Sequence, residues 1–95
     1  MAITSPVPPG TIYTTYYDWN HPRFYEVVRS SPKSVWLRRL NTRTHTPGER
    51  PRPIPGDHTE PVFRRLVLDW ATDDHPTVLI TPELPADIWN GPTAP

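Results

Sequence analysis

The sequence predicts an all-β domain, a small antiparallel barrel of about five strands with a short C-terminal helical turn. Three observations carry this expectation. Fifteen prolines are spread over 95 residues; each lacks a backbone donor and pushes its predecessor out of the helical region, so long helices are excluded along nearly the whole chain. Between the prolines stand short runs dense in β-branched and aromatic residues, which pack well on a pleated surface. Turn-forming clusters of Asn, Asp, Ser, Gly and Pro separate those runs.

The first nine residues read as a Pro-rich leader, extended or frayed, with Pro6, Pro8 and Pro9 before Gly10. Residues 10–91 form the single domain, since a chain this short has no room for a second core, and residues 92–95 are a tail. The run Thr11–Trp19 predicts the first strand, with Tyr13, Tyr17 and Trp19 on its more apolar face. After the turn signal Asn20-His21-Pro22, the alternation of Phe24 to Arg29 predicts a second strand. Ser30 to Lys33 then makes a tight turn into a third strand, Ser34–Leu40, and the pair reads as a β-hairpin. In that third strand Val35, Leu37 and Arg39 share one face; Trp36, Arg38 and Leu40 share the other.

Residues 41–61 hold five prolines, two glycines and a single aliphatic residue, Ile54, which predicts a long loop with no packed element. A loop of that length within a compact domain is commonly functional or disordered. The run Val62–Trp70 predicts a fourth strand with Val62, Leu66, Leu68 and Trp70 on one face and Phe63 and Val67 on the other, both partly buried. Ala71 to Pro76 is a turn, and Thr77–Thr81 a short fifth strand. In Pro82–Gly91 one helical turn is expected, its Ile88 and Trp89 folding back on the core. Scarce aliphatic residues assign Trp19, Phe24, Trp36, Phe63, Trp70 and Trp89 to that core. Short strands, a hairpin and one terminal helical turn suggest a barrel of the SH3-like or OB-like kind, with a partly open sheet covered by the C-terminal turn as the alternative.

The formal net charge is zero, but the charges are segregated. Residues 21–52 carry Arg23, Arg29, Lys33, Arg38, Arg39, Arg43, Arg50 and Arg52 against only Glu26 and Glu49, while no cation follows Arg65. Arginine offers a planar fork of donors suited to phosphate or carboxylate. The arginines Arg29, Arg38, Arg39, Arg43, Arg50 and Arg52 on the hairpin and adjoining loop, with Tyr16 and Tyr25 as stacking partners, are therefore the candidate contact surface. A positive groove with aromatic platforms suits nucleic acid; Arg, Tyr and Trp equally suit a protein interface. Zero net charge weighs against avid phosphate binding, because basic nucleic-acid domains usually have a high isoelectric point.

Catalysis is not expected. The serines Ser5, Ser30, Ser31 and Ser34 sit in no glycine-flanked elbow and near no histidine in sequence, and a chain this small rarely supplies a cleft of the roughly 300 Å³ typical of ligand sites. His58 beside Asp57 and Glu60, and His75 after Asp73 and Asp74, match no established ligand spacing and read as polar turns, so no metal and no cofactor are expected. Glu26 is expected to pair with Arg29, Arg38 or Arg39 across the hairpin. With no cysteine, no export signal and no long apolar run, a cytoplasmic location is expected, with no membrane contact and no small-molecule substrate.

The order G-T-I-Y-x-x-Y-Y-D-W, P-x-F-Y-E-V-V, S-V-W-L-R-R-L, I-P-G before F-R-R, and I-W-N-G resembles a group of small uncharacterised proteins encoded by bacteriophages and mobile elements, over Gly10 to about Gly91. The resemblance implies a phage-type accessory protein, and richness in Pro and Arg suits a G+C-rich actinobacterial host. The block FYEVVRSSPKSVWLRRL is also similar in rhythm to Tudor and other SH3-like barrels. The expectation is a non-catalytic binding module, a monomer or weak dimer in a bacterial host cell. Its partner is nucleic acid or, alternatively, a host or phage protein that it inhibits or helps to assemble.

Overall fold

A computed structural model describes residues 6–15, 22–44, 46–68, 71–72 and 74–94. Its strands are β1 (Ile12–Thr15), β2 (Phe24–Ser31), β3 (Ser34–Arg43), β4 (Arg52–His58), β5 (Phe63–Leu66), β6 (Val78–Thr81) and β7 (Leu84–Ile88). All pairings are antiparallel, in the order β4-β3-β2-β1-β7-β6, with β5 also pairing with β3. No helix is present among the described residues, and none is long and apolar enough to cross a membrane.

The hairpin β2–β3 forms where the alternation placed it, turning at Pro32-Lys33 between the paired residues Ser31 and Ser34. One face of the sheet carries the main core, with Tyr13, Tyr25, Val27, Val35, Leu37, Val78, Ile80, Leu84 and Ala86 buried together. Ile12, Phe24 and Leu40 pack with Trp89 in a second cluster, and the Phe24 and Trp89 rings meet edge to face at 5.1 Å. Such a pair adds about 1 kcal/mol beyond the area it buries. Successive residues of β1, Ile12 and Tyr13, thus enter different clusters, as the two-residue period of a strand requires.

Several expectations are corrected. The loop over residues 41–61 is mostly strand: β3 runs on to Arg43, and β4 returns beside it. Prolines at 53 and 55 are tolerated because β4 lies at the edge of the sheet, and a bulge with Gly56 at φ 78° absorbs the extra residues between Pro53 and His58. The expected C-terminal helical turn is instead strand β7, in which Leu84 and Ala86 point into the core and Pro85 outward, a period of two that a helix cannot supply. These two additions raise the expected five strands to seven among the described residues. Within the expected leader, Val7 is buried in the main core, and just after it the Gly10 N–H donates to the Val27 carbonyl at 2.8 Å. Trp36 is not in the core, because it occupies the strand phase opposite to Val35 and Leu37. Val62 and Leu66 are likewise 46% and 59% exposed. Trp19 and Trp70 lie outside the described residues.

The sheet is rolled but not closed. Where β5 approaches β6 the ladder is reduced to the single pair Val67 and Val78, beside a Leu68 N–H that donates to the Thr77 carbonyl at 3.0 Å. Arg65 fills the seam. Its Nε donates to the Ile80 carbonyl at 2.9 Å and its guanidinium lies over Phe63, 4.6 Å from the ring centre. At the opposite edge, the Ala94 N–H donates to the Pro53 carbonyl at 2.9 Å, so the chain after β7 covers part of β4.

Candidate functional site

The hairpin and β5 build one outward face. A bulge at Val28 resets the register of β2 so that Glu26 lies opposite Arg38 and Arg29 opposite Trp36. On the other side of β3, Trp36 faces Arg64 and Ser34 faces Leu66. Because β3 is flanked on both sides, Trp36 receives a guanidinium from each neighbour: Arg29 at 4.7 Å and Arg64 at 5.8 Å from the ring centre. Both arginines are exposed, and neither has an ion pair or side-chain hydrogen bond among the described residues. An exposed contact of this kind is worth about 0.5 to 1 kcal/mol, enough to orient the cations while leaving their N–H donors to solvent. The exposed Leu66, two residues after Arg64 on β5, adds an aliphatic surface, and Val62 precedes it on the same segment.

The six arginines expected to act together are divided among three places. Arg29 stands over Trp36. Arg38 donates its Nε to the Glu60 carbonyl at 2.6 Å, and Arg39 pairs with the Glu60 carboxylate at 3.1 Å. Arg52 is held in an ion pair by Glu49, and Arg43 and Arg50, both exposed, also have partners within the molecule. Glu49 and Glu60 thus consume part of the expected cluster. Tyr25 offers no stacking surface: it is 4% exposed and meets Phe63 edge to face at 5.5 Å in the core. Tyr16 lies outside the described residues.

Sequence reasoning missed Arg64, Leu66 and the half-buried place of Trp36. The signal was present in the alternation, since Trp36 shares its phase with Arg38 while the aliphatic pair Val35 and Leu37 holds the other phase.

Among the described residues, His58 and His75 find carboxylates on strands distant in sequence. His58 Nε2 lies 2.6 Å from Glu26 Oε1, which also corrects the expected pairing of Glu26 with a hairpin arginine. His75 Nδ1 is 3.4 Å from Asp87 Oδ2. No group of three or more His, Asp or Glu side chains suited to a metal ion occurs among the described residues. Burial first, and the nearby Asp87 second, push the Tyr13 phenol well above the ordinary tyrosine range, while its hydroxyl donates to the Pro76 carbonyl at 2.5 Å.

Two clefts adjoin the start of β2. A polar one of about 270 Å³ is lined by Arg23, Arg39, Asn41, Thr42, Thr59 and Glu60, among others. A smaller apolar one of about 130 Å³ lies between Phe24, Trp89, Pro22 and Pro51.

The fold is thus an antiparallel, rolled β-sheet with an Arg-flanked tryptophan on its outer surface. No protein-family model, curated protein or solved structure matches the chain.

Proposed function

We propose that this chain is a non-catalytic module that binds an acidic protein surface through the outer face of β2, β3 and β5. The observation that carries this reading is Trp36, flanked by the exposed Arg29 and Arg64, which have no ion pair among the described residues, on a β3–β5 ladder that also carries exposed Leu66. Tryptophan and arginine next to aliphatic surface is the composition of interface hot spots, and two oriented guanidinium groups complement carboxylates on a partner. A nucleic-acid partner, the other reading of the arginine cluster, is less well supported. Glu49 and Glu60 hold arginines it would need, Tyr25 is buried, and the net charge is zero. The rolled sheet suits a small barrel of SH3-like type. A phage-type accessory role inside a bacterial cell, as inhibitor or assembly adaptor of a host or phage protein, suits both this face and the sequence resemblance.

The test is affinity capture from nuclease-treated actinobacterial lysate with the wild-type chain and with the double reversal Arg29→Glu/Arg64→Glu. The expected result is a specific protein retained by the wild type and lost on reversal, with circular dichroism unchanged. Equal capture by both forms would overturn the proposal. Recovery only without nuclease, with affinity falling steeply as salt rises, would replace it with the nucleic-acid reading.

A further inference from the structure

We propose that the cleft between Arg23 and Arg39 binds a small dianion, a phosphate monoester or a short dicarboxylate, in the place now held by the Glu60 carboxylate. The inference is independent of the outer face, since it uses none of Arg29, Trp36 or Arg64. The cleft, about 270 Å³, is close to the small end of ligand sites at roughly 300 Å³.

Its cations are positioned but lightly committed. Arg23 is exposed, and its side chain has no partner among the described residues. Its backbone is nevertheless fixed, because the Arg23 carbonyl accepts from the Thr15 N–H at 3.0 Å and its own N–H donates to Thr15 Oγ1 at 3.2 Å. Arg39 already grips a carboxylate oxygen of Glu60 at 3.1 Å, with side-chain exposures of 38% and 49%. That pair demonstrates the chemistry the guanidinium accepts. At such exposure it is worth little, so exchange for another oxyanion is inexpensive.

The exchange also leaves the backbone undisturbed. Residues 59 and 60 are tied to β3 separately, by the Thr59 N–H to the Arg39 carbonyl at 3.0 Å and by Arg38 Nε to the Glu60 carbonyl at 2.6 Å. The Glu60 side chain can therefore swing out while its main chain stays in register. A monoanion would gain from Arg39 no more than Glu60 does. A dianion gains a second guanidinium, Arg23, and Asn41, Thr42 and Thr59 line the same cleft with neutral polar groups for its remaining oxygens.

The experiment is an amide NMR titration of the whole chain with inorganic phosphate and, separately, with succinate, at constant ionic strength against a chloride control. Expected are saturable shifts centred on Arg39 to Thr42 and on Thr59 and Glu60. Affinity should fall at least fivefold in Arg23→Gln and in Arg39→Gln, rise severalfold in Glu60→Gln, and stay unchanged in Lys33→Gln, at the exposed hairpin turn. Saturation by phosphate alone assigns a phosphate ligand, by succinate alone a dicarboxylate, and by both an unselective dianion site. Arg23 is exposed, so its variant keeps the test valid even if Arg39→Gln does not fold. Non-saturating shifts equal to those of chloride, or an affinity indifferent to Arg23→Gln and Glu60→Gln, would overturn the proposal.

Discussion

His58 on the edge strand β4 reaches past β3 to place its Nε2 2.6 Å from Oε1 of Glu26 on β2. With side-chain exposures of 20% and 13%, the pair is mostly withdrawn from solvent and fastens β4 where its own ladder is broken by the bulge after Pro53. Replacing His58 with Ala leaves the Glu26 carboxylate without its partner and should cost about 1 to 3 kcal/mol. Urea unfolding measures the loss, and hydrogen exchange should show β4 amides opening first. A stability change within a few tenths of a kcal/mol would mean that the clasp contributes nothing.

Tyr13 predicts an alkaline limit. Its phenol titrates higher in the folded chain than the ordinary value of about 10. The folded state therefore holds a proton that the unfolded state releases. Stability is fully present below pH ~10 and declines as pH rises above it. Tyr13→Phe should lose about 1 to 2 kcal/mol at neutral pH, because the buried Pro76 carbonyl loses its donor, yet show a flatter decline above pH 10. Chemical unfolding at pH 7 and at pH 10.5 tests both halves.

Trp36 separates binding from folding. Since it lies outside the main core, Trp36→Ala should lower stability by only about 1 kcal/mol while weakening the proposed protein contact more than tenfold. Parallel melting and binding measurements decide; a large drop in melting temperature with intact binding would refute the assignment.

Arg65 substitutes for missing ladder bonds between β5 and β6. Arg65→Met keeps an unbranched apolar side chain but removes both the donor to the Ile80 carbonyl and the guanidinium over Phe63, so the loss should be about 1 to 2 kcal/mol. The Leu68 amide, whose bond to Thr77 crosses the same seam, should exchange faster with solvent.

Gly91 lies under the Trp89 ring. A Cβ there would sit 2.6 Å from Cη2 and 2.7 Å from Cε2 of that ring. Gly91→Ala should therefore displace the indole from Phe24 and disrupt the Trp89 Nε1–H bond to the Pro92 carbonyl. Loss of the Trp89 indole N–H chemical shift from its native position is the readout.

The elements legible in the sequence were those whose hydrophobic alternation is local. Phe24 to Leu40 declared a hairpin because Pro32 and Lys33 separate two alternating runs. β4 was hidden, since Arg-Pro-Ile-Pro-Gly-Asp-His has almost no apolar face and is held by partners elsewhere, including Glu26 and the covering Ala94. β7 was hidden for a related reason: Pro85 and Asp87 suggest a helical or turn segment until β1 and β6 supply neighbours on both sides. The candidate surface followed the same pattern. The cluster of arginines could be counted, but Glu49 and Glu60 decide which remain available, and Arg64 joins Trp36 only through the β3–β5 pairing. Charge neutralisation across strands is a tertiary property.

The pairing of β1 with β7 joins Tyr13 to Ile88, and so makes the earliest strand depend on the latest for one of its two neighbours. During synthesis the hairpin can assemble soon after it emerges from the ribosome, but the middle of the sheet has to wait until Ile88 has emerged. Long loops closed late make such topologies slow to mature. Nascent molecules would then pass through a stage with Tyr13 unburied, in which chaperones have an accessible target.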